Sequence, residues 1–258
     1  MDENSPKLIQ SVQRAIDILN CFDFLTPSLT LNDISERTEL NINTTRGLIN
    51  TLVANKLLIH DKTNNIYQLG YYFIDKASVI QKRIQAYINI FKPFMDKLAD
   101  QYHVSASIQM INQESAFSIY CAYPKNAAYY IIISEYTDLP KHATSSGKLL
   151  LDTLYQNDPA YLNKVELKQF TPNTIKTKKA LLKSLTEVHK NQYAQEIEES
   201  TLDVGSLAVP IYDAQGHLVI TVSATFFVKN LDGIKDKLLA ELKHIASSIA
   251  VKLGTDSD

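Results

Sequence analysis

The sequence is poor in cysteine and has no long apolar run. Its two cysteines, Cys21 and Cys121, lie far apart, each inside an apolar stretch. This pattern indicates buried thiols in a reducing compartment and excludes a disulfide framework or a cysteine-based zinc site. No apolar run is long enough to cross a membrane, and the polar start MDENSPK lacks a secretory signal. We therefore expect a cytoplasmic protein with no metal or other cofactor.

A strong charge of either sign is also missing. The chain has 258 residues, enough for two domains, and a net charge of −2. Residues 1–80 contain seven Lys or Arg and nine Asp or Glu. A nucleic-acid-binding protein usually carries a basic stripe. Binding to DNA would therefore need a locally acid-free surface and a dimer that doubles the contacts.

Such an acid-free stretch exists, because no Asp or Glu occurs between Glu39 and Asp61. Just before it, Thr30 and Asp33 have the spacing of a capping box that starts a helix. A joint at residues 39–41 precedes a second helix predicted from Ile42 to about Asn55. Two apolar runs around a polar turn then predict a hairpin in the position of a wing.

The second helix has one apolar face and one small polar face. The polar face suits the major groove, where Asn pairs with adenine and Arg with guanine or phosphate. The alternative is an amphipathic helix whose outer face is merely solvated. We predict contacts to double-stranded DNA from Asn43, Thr44, Arg46, Gly47, Asn50, Thr51 and, in the wing turn, Lys62.

The rest of the chain predicts an α+β fold. A helical pattern runs from Tyr71 to about Tyr87, with an apolar stripe that either pairs subunits or packs on its own domain. A new helix is expected at Lys92-Pro93, because proline favours a first turn. Beyond residue 104, strand-like runs, including YYIIISEY at 129–136, alternate with helices, and a late hairpin turns at 214–216. This order favours an antiparallel sheet covered by helices.

Several motifs resemble one protein family. SVQRAIDILNCF, LTLNDISERTELNINTTRGLINTLVANKLL and YQLG resemble the winged helix of the IclR (isocitrate lyase regulator) family of bacterial transcriptional regulators. DLPKHATSSGKLLL, FTPNTI, YAQEIEES and LAVPIYDAQGHL followed by VSAT resemble its effector-binding domain. The resemblance implies a winged helix-turn-helix domain (1–70), a linker helix (71–88) and a GAF-like effector-binding domain (89–254), after which a disordered tail (255–258) is expected. Because one winged helix of this charge should bind DNA poorly, we also expect a homodimer or homotetramer joined through residues 1–100.

The resemblance also implies a pocket for a small metabolite, between the sheet and the Ser-Gly-Lys turn. This chain departs from the family at some positions. It has Arg46-Gly47 where the family usually has a basic pair, and Ser206 where the family frequently has Cys. It has Gln192 and Asp203 at two positions where the family frequently has Gly. The effector-binding residues carried over by motif position are Ala128, Ile131, Leu139, Ser145, Ser146, Glu196, Ser206, Ser223 and Thr225.

Enzyme motifs are incomplete. Ser146-Gly147-Lys148 ends like a phosphate-binding loop, but His142 occupies the required glycine position. This segment is instead expected to start a helix, with Ser145 or Ser146 as cap and free N–H groups that could hold a carboxylate. The chain also has no Gly-x-Ser-x-Gly elbow of a hydrolase. We expect a ligand-responsive DNA-binding regulator without catalytic residues. The alternative is a metabolite-binding protein or enzyme that uses the winged helix for protein contacts.

Overall fold

The computed structural model describes residues 8–255, which divide into two units between residues 83 and 84. In the first unit, an antiparallel sheet of order β1-β3-β2 accompanies three helices. The elements are α1 (Gln10–Leu19), β1 (Ser28–Leu29), α2 (Leu31–Arg37), α3 (Ile42–Ala54), β2 (Leu58–Asp61), β3 (Ile66–Leu69) and the start of α4 (Tyr72–Tyr102).

Local hydrogen bonds explain the predicted helix-turn-helix, which is confirmed. The Thr30 hydroxyl accepts from the Asp33 amide at 3.2 Å, and the Asp33 carboxylate accepts from the Thr30 amide at 2.8 Å. The Asn41 side chain caps α3 by accepting from the Thr44 amide at 2.9 Å. Glu39, in the joint, has a left-handed backbone with φ of 54°. Both caps satisfy N–H groups that a helix start leaves free. The short strand β1 was not predicted.

The predicted helix break at Lys92-Pro93 is wrong. Helix α4 continues through Pro93 to Tyr102. On either side of the proline, Phe91 and Met95 are fully buried in the same core. Packing of this continuous apolar face outweighs the local cost of a proline inside a helix, which is about 3 kcal/mol.

The second unit is built on a five-stranded antiparallel sheet of order β5-β4-β8-β7-β6. Alternate residues of a strand point to opposite faces. One face supplies Ala106 and Ile108 to a core shared with Leu238 and Leu242. The elements are β4 (Ser105–Asn112), β5 (Ser115–Ala122), α5 (Ser145–Asn157), α6 (Lys178–Asn191), β6 (Ala194–Ile197), β7 (Val204–Tyr212), β8 (Leu218–Phe227) and α7 (Lys235–Thr255).

The run YYIIISEY does not form the expected strand. Residues 129–136 make one isolated bridge, between Ser118 and Glu135. Side chains take the place of a ladder: Ser105 Oγ donates to the Ile131 carbonyl at 2.6 Å, and the Tyr123 hydroxyl bonds both backbone groups of Ile133. Of the predicted tail, Thr255 ends α7, and 256–258 lie outside the described residues.

Two non-glycine residues occupy positions where the resembled family often has glycine. Gln192, which ends α6, has φ of 54°, and Asp203, just before β7, has φ of 63°. Both lie in the left-handed region, which glycine enters without the steric cost of a Cβ. A glycine would fit both positions without strain, and this chain holds the left-handed conformation there with side chains present.

Candidate functional site

The outer face of α3 is exposed and unpaired. Asn43, Arg46 and Asn50 are exposed, and their side chains make no hydrogen bond within residues 8–255. Gly47 is also exposed, and a Cβ there would meet open space. The fold therefore does not need a glycine at this position. Because glycine has no side chain, another molecule can approach the helix backbone closely here.

The remaining predicted DNA-contact residues lie on the same helix or in the hairpin. Thr44 is half-buried, and the exposed Thr51 donates its hydroxyl to the Gly47 carbonyl at 3.1 Å. Lys62 is exposed in the hairpin turn, where Asp61 accepts from the Thr63 amide at 2.9 Å. The turn is thus held by its own aspartate, which leaves the lysine free to project.

In the second unit, a buried cavity of about 100 Å³ lies between the sheet and the start of α5. Cross-strand register brings polar residues to one sheet face, where Ser107 opposes Ser223 and Ser206 opposes Thr225. The cavity is lined by Ser107, Gln109, Ser118, Ile133, Leu139, Thr144, Ser145, Ser146, Glu196, Ser200, Val204, Ser206, Ser223 and Thr225.

Gln109 is the centre of a hydrogen-bond network in the cavity wall. Its amide nitrogen donates to Ser107 Oγ at 2.7 Å and to Ser223 Oγ at 3.1 Å. Its amide oxygen accepts from Ser146 Oγ and from Thr221 Oγ1, both at 3.0 Å. Buried polar groups need such partners, and a network of this kind fixes the positions of its members. The network therefore joins β4 and β8 to the first turn of α5.

Glu196 is the ionisable side chain of the cavity lining, and it is 2% exposed. Its carboxylate accepts from Ser206 Oγ at 3.2 Å and from the Glu199 amide at 3.0 Å. Burial raises the pKa of Glu196 to about 7, against the lowering effect of these hydrogen bonds. Ser206 also bonds Ser145 Oγ at 2.8 Å. At neutral pH the carboxyl group is therefore partly protonated and can donate as well as accept.

The cap of α5 differs from the expected one. Thr144, not Ser145 or Ser146, is the N-cap, and its hydroxyl accepts from the Gly147 amide at 3.2 Å. Ser145 and Ser146 occupy the first two helical positions, and their amides have no hydrogen-bond partner among the described residues. Because such amides carry partial positive charge, this end of the cavity is suited to an anion.

Seven of the nine carried-over effector residues line the cavity, and two do not. Ala128 is exposed, and Ile131 is half-buried with its carbonyl bonded to Ser105. Residues of β4 that line the cavity were missed by the sequence reasoning. The alternation of Ser105, Ser107 and Gln109 in SASIQ was the signal that could have found them, because it places polar side chains on one sheet face.

Neither a metal site nor a membrane span is found within residues 8–255. His, Cys, Asp and Glu side chains there form no group of three that could hold an ion. None of the helices in that range has both the length and the apolar character of a membrane-crossing segment.

Two family models match the chain. The IclR helix-turn-helix domain matches residues 11–62, and the model described as bacterial transcriptional regulator IclR C-terminal matches residues 83–251. The chain belongs to the IclR family. It is thus a transcriptional regulator with a DNA-binding domain, and the alternative of an enzyme with a protein-binding winged helix is set aside.

Similar proteins agree with the IclR assignment. The regulator XynR of Escherichia coli K12 is 26% identical over 87% of this chain and 89% of its own length. The p-hydroxybenzoate hydroxylase transcriptional activator of Acinetobacter baylyi is 24% identical over 93% of this chain and 90% of its own length. Among solved structures, an IclR regulator from Silicibacter sp. TM1040 has a TM-score of 0.80 at 20% identity, covering 95% of this chain and 96% of that one. An IclR homologue from Microbacterium hydrocarbonoxydans, solved with 4-hydroxybenzoate, has a TM-score of 0.72 at 19% identity, covering 94% and 98%.

The raised pKa of Glu196 makes a prediction about stability. The folded-state pKa of about 7 lies above the value of about 4.3 for a free glutamate, so the folded state holds this proton more tightly. The stability contributed by this proton is full below about pH 4 and is lost as the pH rises through 7. Glu196→Gln should remove this dependence, which amounts to roughly 3 kcal/mol.

The measurement is the free energy of unfolding in denaturant at several pH values between 5 and 8. The wild-type value should fall more steeply with pH than that of Glu196→Gln. Glu187→Gln, on the exposed side of α6, is the matched control and should follow the wild type. Parallel curves for wild type and Glu196→Gln would show that the buried carboxyl does not titrate as described.

Proposed function

We propose that this chain is an effector-responsive regulator in which a small hydroxylated carboxylate, bound in the cavity around Glu196, changes operator binding by α3 and the β2–β3 wing. The cavity itself is the observation that carries the proposal. It lies between the sheet and α5 of one unit, is lined by hydroxyl groups, Gln109 and Glu196 beside aliphatic side chains, and touches elements that a ligand could shift. The 4-hydroxybenzoate complex of the Microbacterium homologue supports a small-molecule effector.

The lining favours the ligand class. The hydroxyl groups offer donors and acceptors, and the first amides of α5 offer positive partial charge to a carboxylate. Glu196 repels a carboxylate when ionised, but it accepts from a ligand hydroxyl in either form. A cavity of about 100 Å³ suits a ligand with few heavy atoms, because drug-sized ligands occupy about 300–1,000 Å³. Ala128 and Ile131 are left out of the proposed site.

On the DNA side, we propose that Arg46, Asn43 and Asn50 read the major groove, with Gly47 and Thr51 beside them. Thr44 and Lys62 would contact the backbone. The acid-free stretch of residues 40–60 supports this assignment, because a polyanion can approach it without meeting a carboxylate. We keep 1–70, 71–88 and 89–254 as the proposed functional division, and expect the protein in the cytoplasm, where bacterial DNA lies.

We also propose that the regulator is a homodimer and that two dimers can pair into a tetramer. The first unit leaves apolar side chains exposed on two of its helices. Val12 and Ile16 are 54% and 44% exposed on α1, and Ile74 and Val79 are 66% and 70% exposed on α4. Exposed apolar patches of this kind mark interaction surfaces. A second copy is the proposed occupant, because one slightly acidic winged helix needs a second set of DNA contacts.

Arg46→Ala should weaken operator binding by about 1–3 kcal/mol if the guanidinium reads a base, with little effect on folding. The measurement is a mobility shift on the DNA upstream of the chain's own gene, at near-physiological salt. Lys183→Ala removes one charge from an exposed site on α6, in the second unit, and serves as the control. Equal binding by wild type and Arg46→Ala would remove Arg46 from the interface.

Val79→Glu should convert the dimer to a monomer, because the substitution buries a charge in the proposed interface. Sedimentation velocity at micromolar concentration measures the change, with Thr186→Glu, at an exposed position of α6 in the second unit, as control. The wild-type dimer should protect two half-sites about 34 Å apart, or a multiple of that spacing. A wild-type monomer that still protects operator DNA would contradict the proposal.

A panel of small hydroxycarboxylates, tested by thermal shift on the full chain, should contain ligands that bind. A true effector should differ in affinity for free and operator-bound protein by a coupling of about 1–3 kcal/mol, equal in both directions. Ser145→Ala combined with Ser223→Ala should weaken its binding, whereas Ser247→Ala on the exposed side of α7 should not. A ligand that binds both forms equally is not the effector.

A further inference from the structure

A second hollow, of about 340 Å³, opens in the second unit beside the buried cavity. We call it the outer cleft, and its walls come from residues 138–142 and 161–170. Its volume falls in the range of small-molecule sites. The function proposed above makes no use of it.

Leu139 is the one described residue that lines both the outer cleft and the buried cavity. Its backbone is fixed on β5, since its amide donates to the Ala116 carbonyl at 2.9 Å and Asp138 Oδ1 accepts from the Ala116 amide at 3.1 Å. The Leu139 side chain is half-buried. A fixed backbone with a single aliphatic side chain between two hollows has the form of a gate, because rotamer changes need no backbone movement.

The charge of the two hollows differs. The outer cleft has three lysines, Lys141, Lys164 and Lys168, against two acids, Asp138 and Glu166. The buried cavity has no cationic side chain among its lining residues. A positively charged cleft raises the local concentration of anions and their rate of association. The cations that would attract a carboxylate therefore lie outside the cavity that would hold it.

The far wall of the outer cleft is held in place by a buried histidine. His142 is 4% exposed, and its Nε2 donates to the Lys168 carbonyl at 2.8 Å. Its ring also stacks on Phe170, with centroids 5.7 Å apart. These contacts fix the segment carrying Lys168 against the turn that precedes α5. The cleft is thus formed before any ligand arrives.

We propose that the outer cleft is the entry port of the buried cavity, that Leu139 is its gate, and that Lys164 and Lys168 admit anions in preference to neutral molecules. This inference rests on the buried cavity being the effector site proposed above. It assigns a role in ligand selection to two lysines that do not line the cavity.

The test measures access to the cavity without using the effector. Ser206→Cys places a thiol in the cavity wall. The full-length variant is treated with iodoacetamide or iodoacetate, which are nearly equal in size and differ in charge. Peptide mass spectrometry follows alkylation of residue 206 separately from that of the buried Cys21 and Cys121.

The gate is tested by adding Leu139→Ala to Ser206→Cys. Alkylation by both reagents should become several-fold faster. Val204→Ala is the matched control, because Val204 lines the buried cavity but not the outer cleft. It should leave the rates near those of the parent. Equal acceleration by the two substitutions, or none by Leu139→Ala in a protein of unchanged secondary structure, would overturn the gate.

The charge selection is tested with Lys164→Glu and Lys168→Glu together. The iodoacetate rate should fall about threefold to tenfold relative to the iodoacetamide rate at low ionic strength, and the difference should shrink in high salt. Lys183→Glu with Lys237→Glu changes the net charge equally at exposed sites outside the cleft and should leave the ratio unchanged. An unchanged ratio in the cleft variant would refute selection by these lysines.

These results separate the port from the effector site. If Leu139 and the lysines control alkylation but no ligand shows coupling to DNA, the port stands and the proposed function fails. If coupling is found while substitution of Leu139 and the lysines leaves the alkylation rates unchanged, the effector site stands and the port is elsewhere.

Discussion

Hydroxyl groups buried on one face of the second unit's sheet must form hydrogen bonds, and these bonds fix the strands and the helix start around the cavity. Ser107, Ser206 and Ser223 lie on strands that pair in the sheet interior, where water cannot satisfy them. They are satisfied by Gln109, by one another and by the first turn of α5. That turn is thereby tied to β4, β7 and β8. A molecule that replaced some of these bonds would also change how α5 sits on the sheet.

A buried ion pair adds to this dependence. Lys148, one turn into α5, is 1% exposed and contacts Glu199 at 2.5 Å and the Gln195 carbonyl at 3.2 Å. The same loop supplies the amide that binds Glu196. Removing one partner would leave a buried charge uncompensated, which is more damaging than losing both. The loop, the helix start and the buried acid therefore form one structural unit around the cavity.

The first unit meets a different constraint, which is to present a surface to DNA without a basic composition. Two of its acids support the fold: Asp33 completes a capping box and Asp61 holds the hairpin turn. The exposed face of α3 is left to amides and Arg46. Local arrangement, not net charge, is what a phosphate backbone meets at close range, because screening limits charge effects to about 10 Å at 0.1 M salt.

Features governed by neighbours in sequence were determined by the sequence itself. The caps at Thr30 and Asn41, the helix-turn-helix and the hairpin after it depend on bonds that span three or four residues, and periodicity specified which face of α3 is buried. The α+β class followed from the order of strand-like and helical runs, and half of the fourteen cavity residues followed from motif resemblance. These positions included Glu196, Ser206 and Ser223.

Only the tertiary structure decided what depends on residues far apart in the chain. Helix α4 continues through Pro93 because residues on both sides of the proline pack in one core. Residues 129–136 form no strand ladder, and side chains of Ser105 and Tyr123 bond their backbone instead. The tertiary structure brought Ser107 opposite Ser223 through strand pairing. It also placed Leu139 between two hollows. Strand partners and shared cavities are set by packing over long sequence separations, and no local pattern contains that information.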